Sequence, residues 1–420
     1  MNAPIVSLLP TSSAPGSTPF WIRNPLPFLL LFKLAYFGLL IGALFLFPTS
    51  QDDDICHTRR QAWTPDGHLT FDSHFTVWDS EHYLNIIDYG YEAGALRCAF
   101  YPLWPLAVRY FSPLVGGSHV LGGMILANLV SLAAFYLFFR LVEKRMGPPT
   151  AWLALVFLLL FPGALFYQFN YTEALFLLLL MLVCWGLEEE RLLIVLGAAF
   201  LLPLTRGVGV FCILPLLLHA LLRGGLLQRS LPGAAAWLAP EPSTTVNSNE
   251  NRRWAPTTLY LYPLAPLFGW LCYLALMWHW TGNPFEGFAA QRFWGVQSIG
   301  NLFNIPKFVL GFITPTNWHE FGGSTLDRCM FACCLWTFPL LWKHNKIWLA
   351  WAFVLAVIPA ASGTFVSFTR FASVAFPIFI ALGASLLKPK FLLLRYLLIE
   401  IFAILHVVLL WRFVNYSWAG

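Results

Sequence analysis

Long apolar segments dominate the sequence and constrain its fold more than any other feature. About 20 consecutive apolar residues cross a bilayer as a helix, and runs of this kind recur from Pro27 to Leu410. Of the 420 residues, 58% are hydrophobic and only 11% are charged, whereas soluble domains carry about 25% charged residues. The sequence therefore predicts an all-α polytopic membrane protein and excludes an ordinary soluble domain.

Basic residues set the predicted topology, because Lys and Arg concentrate in cytoplasmic loops. The apolar runs predict about 11 transmembrane helices in one domain over residues 27–411. Residues 1–26 are expected to form a cytoplasmic tail without a cleavable signal, since residues 1–20 lack a basic start and an apolar core. Residues 224–256 are predicted to be a flexible cytoplasmic loop, and residues 412–420 a C-terminal tail.

The first large connection, residues 48–118, is predicted to be an extracytoplasmic loop with helices lying on the membrane surface. Residues 78–91 within it are compatible with a helix that has Trp78, Asp79, His82 and Ile86 near one face. A carboxylate held at a membrane surface can act as a general base on a hydroxyl. We therefore predict Asp79, Glu81 and His82 as catalytic candidates; a solvated or helix-capping carboxylate is the alternative interpretation of Asp79.

Three arginines are predicted to bind a donor phosphate: Arg206, Arg292 and Arg370. The apolar stretch 192–222 is interrupted around Arg206, which predicts two half-length helices meeting there. Guanidinium groups hold phosphate oxygens in a bidentate manner. Snorkelling from a helix end is the alternative explanation for Arg206 and Arg370.

Aromatic and polar residues predicted on the same outer face are candidates for substrate binding. They are Trp78, Tyr101, Trp104, Tyr171, Glu173 and Gln291. Helix capping is an equally good interpretation of Glu173, which begins an apolar segment.

Cysteine and histidine patterns predict no metal site. There is no CxxC, and the histidines of the first loop lack regular spacing. Cys56 and Cys98 share that loop and could pair if it is extracytoplasmic. We expect no metal and no cofactor.

An outer-face cavity with a carboxylate, several arginines and aromatic walls suits a lipid-phosphate substrate. Nucleotide sugars are absent from that face, which favours transfer of a sugar from a lipid-borne donor. Two alternatives remain: a transporter or flippase of lipid-linked substrates, and a non-catalytic subunit of a glycosylation complex. The expected partners are the bilayer, the donor and the acceptor, without nucleic acid.

The motifs resemble a known family. Residues 78–83 (WDSEHY) and 99–106 (AFYPLWPL) resemble the first luminal loop of the PIG-V mannosyltransferases, which add the second mannose of GPI anchors. Residues 171–176 (YTEALF) and 204–209 (LTRGVG) are similar to two further segments of that family. Residues 291–294 (QRFW) and 367–371 (SFTRF) are more similar to its prokaryotic relatives.

The resemblance implies a GT-C glycosyltransferase fold in a multi-pass membrane protein, with the site on the periplasmic or lumenal side. It also implies inverting transfer of mannose or a similar hexose from a polyprenyl- or dolichyl-phosphate sugar, without a metal. The acceptor would be a hydroxyl of a glycolipid or glycan, and Asp79 falls on the expected base, with Glu81 and His82 in supporting roles. Gly207-Val208 stands where the eukaryotic enzymes have Ser-Asn, and the chain is compact, so a prokaryotic-type member is expected.

Overall fold

A computed structural model describes most of the chain. It covers residues 24–45, 70–224, 233, 256–294, 299–314, 316–321, 323–363 and 365–420. Residues 1–23, Cys56 and nearly all of the predicted cytoplasmic loop 224–256 lie outside this description. Within the described ranges the regular structure is helical and no β-strand forms, which confirms the all-α class.

Seventeen α-helices, numbered here in chain order, make up the described fold. They are α1 Leu26–Phe45, α2 Asp79–Tyr89, α3 Leu103–Phe111, α4 His119–Met146, α5 Pro148–Leu160, α6 Glu173–Glu188, α7 Leu192–Thr205, α8 Ile213–Arg223, α9 Leu264–Thr281, α10 Glu286–Ala290, α11 Ile305–Ile313, α12 Thr325–His344, α13 Lys346–Ala352, α14 Ile358–Gly363, α15 Phe368–Ala372, α16 Phe376–Leu386 and α17 Leu392–Val414.

Five helical segments in the described ranges are long and apolar enough to cross a membrane. They are Leu26–Phe45, His119–Met146, Thr258–Thr281, Lys346–Gly363 and Pro389–Val414. A sixth arises if α5 and the following 3-10 turn Pro162–Gln168, bent by 81°, count as one broken span. The chain is thus a multi-pass membrane protein, but the predicted count of about 11 spans is not confirmed. Helix α16 is a short apolar helix where a span is predicted, whereas α7 is one of the two half-length helices predicted around Arg206.

The core is built by α4, α6, α7 and α9, which pack side by side in that order, and by α5, which packs on α4 and α16. These helices are apolar around their circumference, as expected where one face meets protein and the other meets lipid. Lys33 is a buried cation within this apolar interior. Lys33 of α1 donates to Asn128, Ser131 and Gln168 at 2.9, 2.7 and 2.5 Å. These bonds tie α1 to α4 and to the turn that follows α5.

The predicted break at Arg206 is confirmed. Helix α7 ends at Thr205, Arg206 adopts an extended conformation, and the 3-10 turn Gly207–Cys212 leads into α8. Gly209 must be glycine for this turn to close, because a Cβ there would lie 2.4 Å from the carbonyl carbon of Leu202. The turn directs Arg206 away from the helix axis and toward the N-terminus of α6.

Helices are also present in the first loop, as predicted. Helix α2 covers most of the predicted range 78–91, and α3 begins at Leu103, within residues 99–106. The chain end packs against this region: Ser73 Oγ lies 2.7 Å from the Tyr416 hydroxyl, and His74 Nδ1 lies 2.6 Å from the Val414 carbonyl. Residues 412–420, predicted as a tail, are thus part of the packed structure.

Candidate active site

Four charged side chains from distant parts of the chain form one ionic network. Asp79 Oδ2 lies 2.6 Å from Arg370 Nη2. Arg370 Nε donates to Glu173 Oε1 at 2.8 Å, and Arg206 Nη1 donates to the same oxygen at 2.5 Å. The structure therefore brings Asp79, Glu173, Arg206 and Arg370 together, and each carboxylate contacts at least one guanidinium.

Glu173 lies at the centre of this network because it is the first residue of α6. Its side chain is fully buried, and the helix N-terminus favours a negative charge there. The neighbouring Thr172 hydroxyl accepts a further hydrogen bond from Arg206 at 3.2 Å. The second carboxylate oxygen of Glu173 is buried without a hydrogen-bond partner in the described part of the chain. Glu173 thus positions both arginines.

Asp79 is presented by a strained turn at the start of α2. Trp78, the residue before it, has φ +60° and ψ −124°, a conformation that costs about 1–3 kcal/mol for a bulky residue. The Trp78 indole donates to the Ser417 carbonyl at 3.4 Å and packs edge-on against Trp418 at 4.8 Å. The folded-back chain end therefore holds the strained turn in place.

Arg370 is buried, with 5% of its surface exposed, and aromatic rings surround it. The guanidinium carbon lies 5.4, 5.2 and 5.0 Å from the ring centres of Phe166, Tyr171 and Phe371. Such contacts stabilise a desolvated cation by about 2 kcal/mol. Arg206 similarly lies 4.8 Å from the ring centre of Phe371. Both guanidinium groups thus keep a fixed geometry.

A buried aspartate holds the segment that carries Arg370. Asp327 Oδ1 accepts hydrogen bonds from the Thr369 backbone nitrogen and hydroxyl, both at 2.7 Å. Its other oxygen accepts from the Ser324 hydroxyl at 2.5 Å. Ser367, just before α15, adopts a left-handed conformation with φ +57°. Asp327 compensates for this unfavourable turn and sets the position from which Arg370 reaches Asp79.

The network forms part of the wall of a cavity of about 950 Å³, a volume within the range of small-ligand sites. Predicted site residues on this wall are Asp79, Tyr101, Arg206, Gln291, Arg292 and Arg370. Apolar and aromatic side chains such as Phe211, Trp270 and Trp418 supply much of the remaining surface. Asp79 is the only acidic residue on the described wall.

The other predicted site residues lie behind this wall. Trp104, Tyr171 and Glu173 are fully buried. The Trp104 indole donates to Asn170 at 2.6 Å, and the Tyr171 hydroxyl donates to the Val77 carbonyl at 2.7 Å. These residues, like Trp78, brace the turns that carry Asp79 and Glu173. Their place in the fold gives them a positioning role.

Glu81 and His82 follow Asp79 on α2, and neither lines the cavity. The His82 ring stacks on Phe100 at 4.7 Å. Burial lowers the pKa of His82 to about 4, although the negative charge of Asp79 acts in the opposite direction. His82 is therefore neutral near pH 7 and does not add a positive charge beside Asp79.

Sequence reasoning missed three residues of this site: Asp327, Asn301 and Lys307. Asp327 is the last residue of the capping pattern Ser-x-x-Asp at the start of α12, and that pattern was a usable signal. Lys307 and Asn301 line the cavity, and Lys307 Nζ donates to Asn301 Oδ1 at 2.9 Å. Lys307 lies beside a short apolar segment, and no local sequence pattern marked it as a site residue.

Nothing in the described residues adds support for a metal site or for a disulfide. No group of three or more His, Cys, Asp or Glu side chains there is arranged to hold a metal ion. The Cys98 thiol contacts the Glu92 carbonyl at 3.0 Å, and Cys56 lies outside the described residues. The absence of a metal site and the Cys56–Cys98 pair both stay predictions.

The fold and this charged cavity define the class: a multi-pass, all-helical membrane protein with a polar site enclosed by apolar helices. Residues 66–222 match the model of the family described as Mannosyltransferase (PIG-V), which is less than half of the chain. The predicted resemblance to that family is thereby confirmed over these residues. The matched region contains Asp79, Tyr101, Glu173 and Arg206, whereas Arg292 and Arg370 lie beyond it.

Solved structures that match this chain belong to longer proteins. ArnT from Cupriavidus metallidurans bound to undecaprenyl phosphate is 13% identical, with a TM-score of 0.48; the match covers 89% of this chain and 63% of that one. The Archaeoglobus fulgidus oligosaccharyltransferase in complex with Zn and sulfate is 12% identical, with a TM-score of 0.46, covering 93% and 53%. This chain thus matches between half and two thirds of their length. No curated protein matches this chain.

Proposed function

We propose that the protein is a GT-C glycosyltransferase that moves mannose or a similar hexose from a polyprenyl- or dolichyl-phosphate sugar to an acceptor hydroxyl at the extracytoplasmic face. The observation that carries this proposal is the Asp79–Arg370 pair on the wall of a largely apolar cavity. The cavity places one carboxylate and several cations in contact with the same substrate space. The family match over residues 66–222 supports transfer of mannose.

Asp79 is proposed to act as general base. Its carboxylate accepts the proton of the acceptor hydroxyl while the hydroxyl oxygen forms a bond to the anomeric carbon. The bond from that carbon to the phosphate oxygen breaks, and its electron pair stays on the phosphate. Attack from the side opposite the phosphate inverts the anomeric configuration. Arg370 orients Asp79 through its 2.6 Å contact and is itself fixed by Glu173.

The cationic residues of the wall are proposed to stabilise the leaving phosphate, whose negative charge increases as the bond breaks. Positive groups already in place lower the energy of such a transition state without reorganising. Apolar walls exclude water and strengthen these interactions. The aromatic side chains Trp270 and Trp418 offer surfaces for the sugar and the prenyl chain.

Replacement of the Asp79 carboxylate by an amide tests whether Asp79 is the general base. We expect Asp79→Asn to lower transfer of radiolabelled mannose from polyprenyl-phosphate mannose to a mannosyl glycolipid by about 10²- to 10⁴-fold. Asp88→Asn is the matched control, because Asp88 is an α2 carboxylate that pairs with His119 at 2.9 Å and does not line the cavity. Unchanged transfer in Asp79→Asn would refute the base. If purified wild-type protein transferred no sugar from any lipid-phosphate donor, a transporter or a non-catalytic subunit would be favoured.

A further inference from the structure

The charges around the cavity divide into two sets. In the first set, Arg206 and Arg370 contact the carboxylates of Glu173 and Asp79. Two cations and two anions therefore balance within this set. Its arginines are oriented and already neutralised, so they attract a further anion less strongly than their number suggests.

The second set consists of Arg292 and Lys307, and both line the same cavity. In the described part of the chain, neither forms an ion pair with a carboxylate. Arg292 lies 5.1 Å from the ring centre of Phe293. The Lys307 ammonium donates to the neutral amide oxygen of Asn301, and the amide nitrogen of Asn301 donates to the Ser362 carbonyl at 2.8 Å. The uncompensated positive charge of the cavity therefore resides on these two residues.

Lys307 also lies on a helix whose exposed apolar side chains can contact the chain of a lipid. It belongs to α11, a helix in which no residue is buried. The apolar side chains of Ile305, Leu310 and Ile313 are 69%, 60% and 64% exposed. An apolar helix face of this kind in a membrane protein contacts acyl chains. A lipid whose chain lies along α11 would bring its phosphate to the ammonium of Lys307.

We infer that Lys307, held by Asn301 and acting with Arg292, binds the phosphate of a prenyl-phosphate lipid. This inference rests on the proposed function and makes its donor site more specific. A sugar linked to prenyl phosphate carries one negative charge, and the prenyl phosphate left after transfer carries up to two. Two uncompensated cations match the product more closely than the donor, and such a difference favours bond breaking. Arg370 then serves mainly to position Asp79, and Arg206 serves mainly to hold Glu173.

Binding of a lipid without a sugar tests this inference independently of transfer. Purified full-length protein in detergent is titrated with undecaprenyl phosphate and, separately, with undecaprenol, which lacks the phosphate. We expect Lys307→Ala to weaken binding of undecaprenyl phosphate by about tenfold or more, with no change in binding of undecaprenol. Lys307→Arg should retain most of the affinity. Lys390→Ala removes an exposed lysine outside the cavity wall and should bind as wild type does.

The possible outcomes distinguish a failure of the phosphate-binding site from a failure of the proposed transfer reaction. If Lys307→Ala binds undecaprenyl phosphate as tightly as wild type, while both discriminate against undecaprenol, the assignment of Lys307 is wrong. If wild type itself binds the two lipids equally, the cavity has no phosphate site, and both the inference and the proposed donor fail. If Lys307→Ala loses phosphate binding but no sugar is transferred by wild type, the binding site stands and the transferase proposal fails. Equal melting temperatures of wild type and variants would confirm that the changes in affinity are local.

Discussion

Glu173 shows how one buried side chain can control a site that it does not line. Its carboxylate contacts both Arg206 and Arg370, and its surface is fully buried. Removal of one partner from a buried ion pair leaves an uncompensated charge, which costs about 3–5 kcal/mol. We expect Glu173→Gln to lower the free energy of unfolding by an amount of that order and to reduce transfer, because Arg370 would no longer be held toward Asp79.

An exposed ion pair provides the matched control for this prediction. Glu92 pairs with Arg97 at 2.9 Å, but its side chain is 74% exposed, and such surface pairs contribute about 0–1 kcal/mol. Glu92→Gln should therefore unfold like wild type in a denaturation series in detergent. Equal stability of Glu173→Gln and Glu92→Gln would show that the buried network does not hold the site together.

His82 predicts a pH dependence of stability. Its pKa in the folded protein is lowered to about 4, whereas an unperturbed histidine has a pKa of about 6.5. Between these two values the unfolded chain binds a proton that the folded chain does not, so stability falls as the pH drops through this window and is fully present above it. We expect the melting temperature of wild type to fall more between pH 7 and pH 5 than that of His82→Gln.

A second histidine variant controls for the loss of an imidazole. His279 is exposed near the end of α9, and His279→Gln should keep the wild-type dependence on pH. The same pH dependence in wild type and His82→Gln would contradict the assignment of a neutral, half-buried His82. A neutral His82 also predicts that His82→Gln leaves the shape of the pH profile of transfer between pH 5 and 7 unchanged.

At the scale of elements, the turn after α5 supports the segment that carries Arg370. Gly163 lies so close to α15 that a Cβ at this position would be 2.1 Å from the Thr369 carbonyl oxygen and 2.9 Å from the Arg370 Cα. Gly163→Ala must therefore displace one of the two segments. We expect it to destabilise the protein by about 1–3 kcal/mol and to reduce transfer, measured by thermal unfolding and radiolabelled mannose.

Gly197→Ala is the matched control for Gly163→Ala, because the structure has space for a methyl group at Gly197. It lies in α7, and no atom comes within 4 Å of a Cβ built there. Gly197→Ala should leave both stability and transfer close to wild type. If Gly163→Ala behaved in the same way, the contact between the turn and α15 would not position Arg370.

The same elements show what could be predicted from sequence. The break at Arg206 was predictable, because Pro203 and two glycines interrupt an apolar stretch in which a continuous helix is otherwise favourable. The bridging role of Glu173 was not, since its partners Arg206 and Arg370 are 33 and 197 residues away. No local pattern encodes such a contact. Lys307 was missed for the same reason: only tertiary packing brings α11 to the cavity.

At the scale of the whole molecule, α4 connects two separate polar regions. Near its beginning, His119 lies 2.9 Å from Asp88 of α2, the helix that carries Asp79. At its end, Lys144 and Arg145 pair with Glu189 and Glu188 at the end of α6. A helix of 28 residues is about 42 Å long, which exceeds the apolar thickness of a bilayer, about 30 Å. The two regions therefore lie on opposite sides of the membrane.

This arrangement makes the orientation of the site testable. Basic residues concentrate at the end of α4, so that end is expected in the cytoplasm and the cavity on the other side. In a variant without native cysteines, Glu92→Cys should react with a membrane-impermeant maleimide in intact cells, whereas Lys144→Cys should react only after permeabilisation. The reverse pattern would place the cavity in the cytoplasm. Nucleotide sugars are available there, so the main argument for a lipid-borne donor would be lost, although the positioning of Asp79 by Arg370 would be unaffected.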